Sequence, residues 1–143
     1  MSPTPAGPGD GHRALIVDDS AAVRQSVRWI LEPAGLAVLE APDGVAALEV
    51  LRAEKVDVLI ADLNMPRMDG LELIRAMRAD AKLKGIPVLM MTTEMRPQDV
   101  MKAYDAGADM YLVKPSSPAV IRYKVFSLLG VREGGASPGA EGA

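Results

Sequence analysis

Asp18, Asp19, Asp62, Thr92 and Lys114 share a placement: each stands at the end of a short apolar run or within two residues of it. The runs are residues 14–17, 56–61, 87–91 and 110–113. If they are parallel strands of one sheet, all five side chains lie along a single rim. Three carboxylates gathered there repel one another, more so when buried, so the cluster must hold protons or recruit a cation. An all-oxygen donor set in a partly open site suits Mg²⁺, which keeps several waters and bridges to phosphate. Lys114 adds a compact positive charge suited to a phosphate oxygen, and Thr92 adds a hydroxyl donor. A carboxylate nucleophile, a divalent cation and two phosphate contacts are the ingredients of phosphoryl transfer, which asks chiefly for positioning and charge neutralisation. Asp62 falls between the acidic pair and Thr92 if the third strand sits between the first and fourth, which makes it the nucleophile candidate. A lone acidic residue after a strand is ordinarily a helix cap or a loop charge. That alternative stays open for Asp19, which with Ser20 precedes a helical stretch, but capping does not account for the whole set.

The elements that must position these residues are legible in the apolar pattern. Five short runs, at 14–17, 36–39, 56–61, 87–91 and 110–113, are continuous and bounded by turn residues. Strands buried on both faces of a parallel sheet have that form. A helical period follows each run. Val23, Val27, Ile30 and Leu31 share a face of the first helix, which Pro33 ends. Val45, Leu48 and Leu51 line the second behind Asp43 as N-cap; Leu71, Ile74 and Met77 line the third behind Asp69. Val100 and Ala103 mark the fourth, stopping at Gly107. Ile121, Val125 and Leu128 line the fifth, opened by Ser117 and Pro118. Five β-α units predict an α/β fold, a doubly wound (βα)5 sheet with right-handed crossovers; a closed barrel needs eight.

Composition narrows the classes further. The chain has 143 residues, 49% of them apolar and 24% charged, as in a soluble single domain. Its 16 Lys+Arg against 19 Asp+Glu give a formal charge of −3, which argues against a dedicated DNA binder. With no Cys and one His, thiol catalysis, disulfides and multi-histidine metal centres are excluded. No apolar run reaches the roughly 18 residues of a membrane span, and the N-terminus lacks the apolar core of a signal peptide. A cytoplasmic protein is expected. Residues 1–11 and 131–143, rich in Gly, Pro, Ala and Ser, read as disordered tails around a folded domain at 12–130. The GPGDG stretch within the first precedes a strand instead of following one, so it is not a nucleotide loop. His12 reads as an exposed, idle side chain.

Four segments, LIVDDSAAVR, VLIADLNMPRMDGLELI, PVLMMTTE and AGADMYLVKP, occur in this order across roughly residues 13–130. Together they resemble the response-regulator receiver domain of bacterial two-component signalling, most of all its stand-alone chemotaxis type. The resemblance implies a flavodoxin-like sheet of order 2-1-3-4-5. It implies that Asp62 accepts a phosphoryl group from a histidine kinase or histidine phosphotransfer protein. Asp19 would bind Mg²⁺ directly, Asp18 through water, and Asn64 through its main-chain carbonyl. Thr92 would hydrogen-bond the phosphoryl group and Lys114 pair with it, with a cis Lys114–Pro115 bond. Tyr111 matches the aromatic switch residue that turns inward as Thr92 moves. Asn64 and Glu94 match positions that tune dephosphorylation. Ser116 departs from the pattern, standing where an apolar or aromatic residue is usual; Pro97 falls harmlessly in the first turn of the fourth helix.

Output must then come through protein contacts. Four of the five aromatic residues, Tyr104, Tyr111, Tyr123 and Phe126, lie in the last part of the chain. Phe126 reads as core, whereas Tyr104 and Tyr123 fall off the apolar stripes, so the face of the fourth helix, fifth strand and fifth helix is the expected partner surface. Trp29 also falls outside its helix's stripe, and the nine Met residues read mainly as core filler. The expected protein is a single-domain response regulator, monomer or weak homodimer, catalysing only its own phosphorylation and dephosphorylation. A phosphorelay intermediate and a degenerate receiver scaffold are the alternatives. A Mg²⁺-dependent aspartyl-phosphate phosphatase of the haloacid dehalogenase type is weaker, because Asn64 stands where its general-acid Asp is required.

Overall fold

The computed structural model describes residues 9–93 and 96–130. Strands and helices alternate as β1 (Arg13–Val17), α1 (Ala21–Leu31), β2 (Ala37–Ala41), α2 (Gly44–Ala53), β3 (Val58–Ala61), α3 (Gly70–Arg78), β4 (Val88–Thr92), α4 (Pro97–Ala106), β5 (Met110–Val113) and α5 (Pro118–Leu129). The five strands form one parallel sheet in the order β2-β1-β3-β4-β5.

Because side chains alternate across a strand, the sheet divides its apolar residues between two cores. Leu15, Val17, Leu59, Ala61, Val88 and Met90 meet α2, α3 and α4 through Leu48, Leu51, Leu73, Ile74, Met77 and Ala103. Ala14, Ile16, Val58, Ile60, Leu89 and Met91 meet α1 and α5 through Val27, Leu31, Ile121, Val125 and Phe126. Burial of each large side chain contributes about 1.5–3 kcal/mol, so this three-layer packing fixes the sheet and with it the rim at the strands' carboxyl ends.

The caps fall largely where the chemistry of the sequence places them. Ser20, Asp43 and Ser117 accept N–H bonds from Val23, Ala46 and Val120 as N-caps of α1, α2 and α5. Asp69 and Glu72 form a reciprocal capping box on α3. Gly107 closes α4 in the left-handed conformation. Capping of α1 thus belongs to Ser20, and Asp19 is released from that role.

Several boundaries differ from expectation. Strand β2 occupies Ala37–Ala41, later than 36–39, because Leu36 N–H still bonds back to the Leu31 carbonyl at the end of the preceding turn. β3 begins at Val58: Val56 is buried outside the ladder, its apolarity spent on packing. Pro87 has no N–H for the ladder, so β4 runs Val88–Thr92. α1 gives way to one 3-10 turn over Glu32–Ala34 that contains Pro33. Val45 is exposed, and Ala47 takes its place on the buried face of α2. Gly9, inside the expected tail, is packed: its N–H donates to the Ala34 carbonyl at 2.7 Å. His12 is half-buried, with Nδ1 shielded and unpartnered among the described residues. The other tail residues, 1–8 and 131–143, lie outside the described residues.

Candidate functional site

Strand register brings the distant residues together. Val17 pairs with Ala61 across β1 and β3, so the next residues, Asp18 and Asp62, emerge side by side. The main chain continues the ladder there: Asp62 N–H donates to the Val17 carbonyl at 3.0 Å, and Asp18 N–H to that of Ala41 at 3.1 Å. On the other side, Thr92 pairs with Val113, and Lys114 N–H donates to the Thr92 carbonyl at 2.8 Å. Order 2-1-3-4-5 puts β1, β3, β4 and β5 in sequence, so the four strand ends form one continuous rim. Open α/β sheets collect ligands at this place, beyond the carboxyl ends of the strands.

At the centre of the rim, Lys114 Nζ donates to Asp18 Oδ2 at 2.7 Å and to Asp62 Oδ2 at 3.2 Å. Asp18 is buried, Asp62 partly buried and Asp19 exposed. One carboxylate oxygen from each of the three lies within 4.8 Å of the others. The second oxygen of Asp18 accepts the Ser20 N–H at 2.9 Å, and that of Asp62 accepts the Asn64 N–H at 3.3 Å. Burial disfavours the charge of Lys114, but the hydrogen bond to Asp18 and the charge of Asp62 outweigh it, and the ammonium's pKa is held above its ordinary value. Three carboxylates against one ammonium leave the cluster negative. An all-oxygen set with one exposed member fits a hard cation that retains water, which is the chemistry of Mg²⁺.

Thr92 is fully buried at the end of β4. Tyr111 is partly buried in β5, opposite Met90 and packed on the core shared with α2, α3 and α4. The Lys114–Pro115 bond is cis. Ser116 donates to the Val113 carbonyl at 2.6 Å. It lines a largely apolar groove of about 460 Å³ between α1 and the β5–α5 loop, with Val23, Ile30, Pro115 and Ile121. Glu94 lies outside the described residues.

The structure adds residues that the linear pattern does not single out. Arg24 Nη1 donates to the Asp18 carbonyl at 2.6 Å while its Nε donates to Glu40 at 2.8 Å, tying the acidic pair to β2. A Cβ on Gly70 would lie 2.3 Å from the Asp62 carbonyl, so only glycine lets α3 start this close to the site. The DG dipeptide beginning a helix was the available signal for Gly70; nothing local marks Arg24, whose partners are brought to it by the sheet.

The family model of the response regulator receiver domain matches residues 14–126. The chain belongs to that family. Among the receiver's relatives, a chemotaxis protein CheY homolog of Campylobacter jejuni is 42% identical over 124 residues, covering 85% of this chain and 95% of that protein. The chemotaxis protein CheY of Pseudomonas aeruginosa is 40% identical over 114 residues, covering 79% and 92%. In three dimensions the receiver resembles chemotaxis protein CheY4 of Vibrio cholerae, with a TM-score of 0.79, 38% identity and coverage of 82% of this chain and 98% of that one. It also resembles the receiver domain of a signal transduction histidine kinase from Syntrophus aciditrophicus, with a TM-score of 0.79, 32% identity and coverage of 84% and 91%. The receiver is thus of the CheY type, a component of two-component systems. Among the described residues, no helix is long and apolar enough to cross a membrane.

Proposed function

We propose that this receiver is a cytoplasmic phosphorylation switch in which Asp62 takes a phosphoryl group from a phosphohistidine. The observation that carries the reading is the convergence of the Asp18 and Asp62 carboxylates on the Lys114 ammonium, with Asp19 beside them. A carboxylate oxygen of Asp62 attacks phosphorus, the phosphorus–nitrogen bond breaks, and the leaving imidazole nitrogen takes a proton from solvent. Lys114 is placed to follow the transferred charge, exchanging its bond to the Asp62 carboxylate for one to a phosphoryl oxygen. Thr92 supplies a hydroxyl from the neighbouring strand end. Asp18, Asp19, Asp62 and the Asn64 carbonyl would hold Mg²⁺, which when bound neutralises charge on the phosphoryl oxygens. Beyond its own aspartate the receiver acts on no substrate.

Phosphorylation adds about −1.5 to −2 charge at one point. Thr92 and Lys114 feel it first, and they end the strands beside α4 and α5, so a coupling of about 1–3 kcal/mol would be transmitted to that face. Tyr111 is the switch residue on β5. Met101, Tyr104, Val120 and Tyr123 are exposed there, and we assign this face to the output partner, a protein and not DNA.

The test is incubation with acetyl phosphate and Mg²⁺. The wild type gains one phosphoryl group, Asp62→Asn gains none, and EDTA abolishes the gain. Equal labelling of Asp62→Asn would overturn the proposal. The structural likeness to a histidine kinase's receiver domain favours a second reading, a phosphorelay intermediate. That reading requires transfer from Asp62 onward to a second histidine protein.

A further inference from the structure

The loop from β3 to α3 carries both Asp62 and Asn64, and one of its residues is conformationally costly. Arg67 has φ of +67°, the sole non-glycine residue with positive φ among the described residues. An L side chain in that region crowds its own backbone, and such positions persist only where surrounding contacts over-determine them. Here the contacts come from the N-terminus of α2. Arg67 Nε lies 3.0 Å from Asp43 Oδ2, and Nη2 lies 3.5 Å from Asp43 Oδ1. Asp43 is buried and already fixed, because its side chain caps α2 through the Ala46 N–H at 2.8 Å. Beside it, Gly44 N–H donates to the Met68 carbonyl at 3.2 Å. A Cβ on Gly44 would meet the Met68 side chain at 2.6 Å, so loop and helix are in close contact. At the loop's far end Gly70 N–H donates to the Leu63 carbonyl at 3.0 Å.

We propose that Arg67 is a positioning residue for the acidic site, its ion pair with Asp43 holding the β3–α3 loop in the arrangement that offers Asp62 and the Asn64 carbonyl to a divalent cation. With its arginine largely in water, the pair is screened and contributes little to global stability. Its effect is local: it anchors the middle of the loop to a rigid helix end, leaving only Leu63 to Pro66 between that anchor and Asp62.

This inference rests on the proposed Mg²⁺ site, and its test separates the two. Mg²⁺ binding is measured by calorimetry on the wild type, Arg67→Ala, Arg67→Lys, Arg67→Gly and Asp43→Ser, the last keeping a capping hydroxyl. Amide hydrogen exchange of residues 63–68 is followed without metal. Arg67→Ala and Asp43→Ser each weaken Mg²⁺ binding by about tenfold, the lower end of what is lost when a group orienting metal ligands is removed. The double variant is no weaker than either single one, because both remove the same contact. Arg67→Lys recovers most of the affinity, and loop exchange speeds up in every variant that lost it. Arg67→Gly relieves the backbone strain and keeps or raises the melting temperature, yet still binds Mg²⁺ weakly. Wild-type affinity in Arg67→Gly or Arg67→Ala would overturn the inference. Additive losses in the double variant would also overturn it. A wild type that binds no Mg²⁺ would remove the reading beneath it as well.

Discussion

Lys114 and Asp62, 52 positions apart, lie 3.2 Å apart between ammonium nitrogen and carboxylate oxygen. The same ammonium is 2.7 Å from buried Asp18. One ammonium is thus shared between two carboxylates; in the proposed reading, a bound Mg²⁺ would take over that positive charge and a phosphoryl group would compete for the ammonium. Charge balance would then couple the two proposed ligands.

Replacing that ammonium exposes the balance. Lys114→Met leaves Asp18 and Asp62 facing each other, and removal of one partner of a largely buried pair costs about 3 kcal/mol. Mg²⁺ restores most of the loss, because a divalent ion substitutes for the missing charge. Urea unfolding with and without Mg²⁺ measures both effects. An equal Mg²⁺ increment in wild type and variant would contradict the shared-charge account.

Strand register is why most of this site was readable in the sequence. Asp18, Asp62, Thr92 and Lys114 each follow an apolar run, and parallel pairing converts that shared offset into a shared rim. The motifs around them carried the strand order, which the apolar pattern alone leaves open. Arg24 and the Arg67–Asp43 pair were not readable, because their roles depend on distances between elements far apart in the chain. Val45 misled for a different reason. Apolar spacing alone does not say which helical residues face the sheet, and here Ala47 is fully buried in the core with Leu15 and Leu59 while Val45 is exposed. Leu36 and Val56 misled as strand residues because burial and ladder pairing are separate conditions, and these two meet only the first.

The ion-pair group between α1 and β2 carries a pH signature. Burial alone would raise the Glu40 pKa, but hydrogen bonds from Arg24 and Arg28 win and hold it below the ordinary carboxylate value. A lowered folded-state value means stability present above about pH 4.5 and lost as pH falls through the folded value. Glu40→Gln therefore destabilises by about 1 kcal/mol near neutrality, a partly exposed network being screened by water. The difference shrinks toward zero in strong acid. Paired denaturant melts across pH check this; a constant difference would contradict it.

Arg78 ties three segments together through main-chain acceptors. It donates to the Gly107 carbonyl at 3.1 and 2.7 Å, to Lys84 at 2.8 Å, to Ile86 at 2.7 Å, and to the Asp109 carboxylate at 3.0 Å. Arg78→Met keeps much of the apolar stem but strands these acceptors, costing about 2–3 kcal/mol. Arg78→Lys recovers little, since one ammonium cannot span the fork. Equilibrium unfolding of the two variants checks the order.

Tyr104 and Tyr123 are 46% and 65% exposed, so truncation to Ala changes stability by about 0.5 kcal/mol or less. Their loss falls on the partner instead. Capture of output proteins by the beryllofluoride-activated receiver drops in Tyr104→Ala and Tyr123→Ala, while acetyl phosphate labelling stays unchanged. Undiminished capture by both variants would remove this face from the account.

Which aspartate receives phosphorus can be read chemically. After exposure to a phosphohistidine donor with Mg²⁺, borohydride reduction converts an aspartyl phosphate to homoserine, and peptide mapping locates it. Homoserine is expected at position 62 and nowhere else. An unmodified Asp62, or homoserine at 18 or 19, would contradict it.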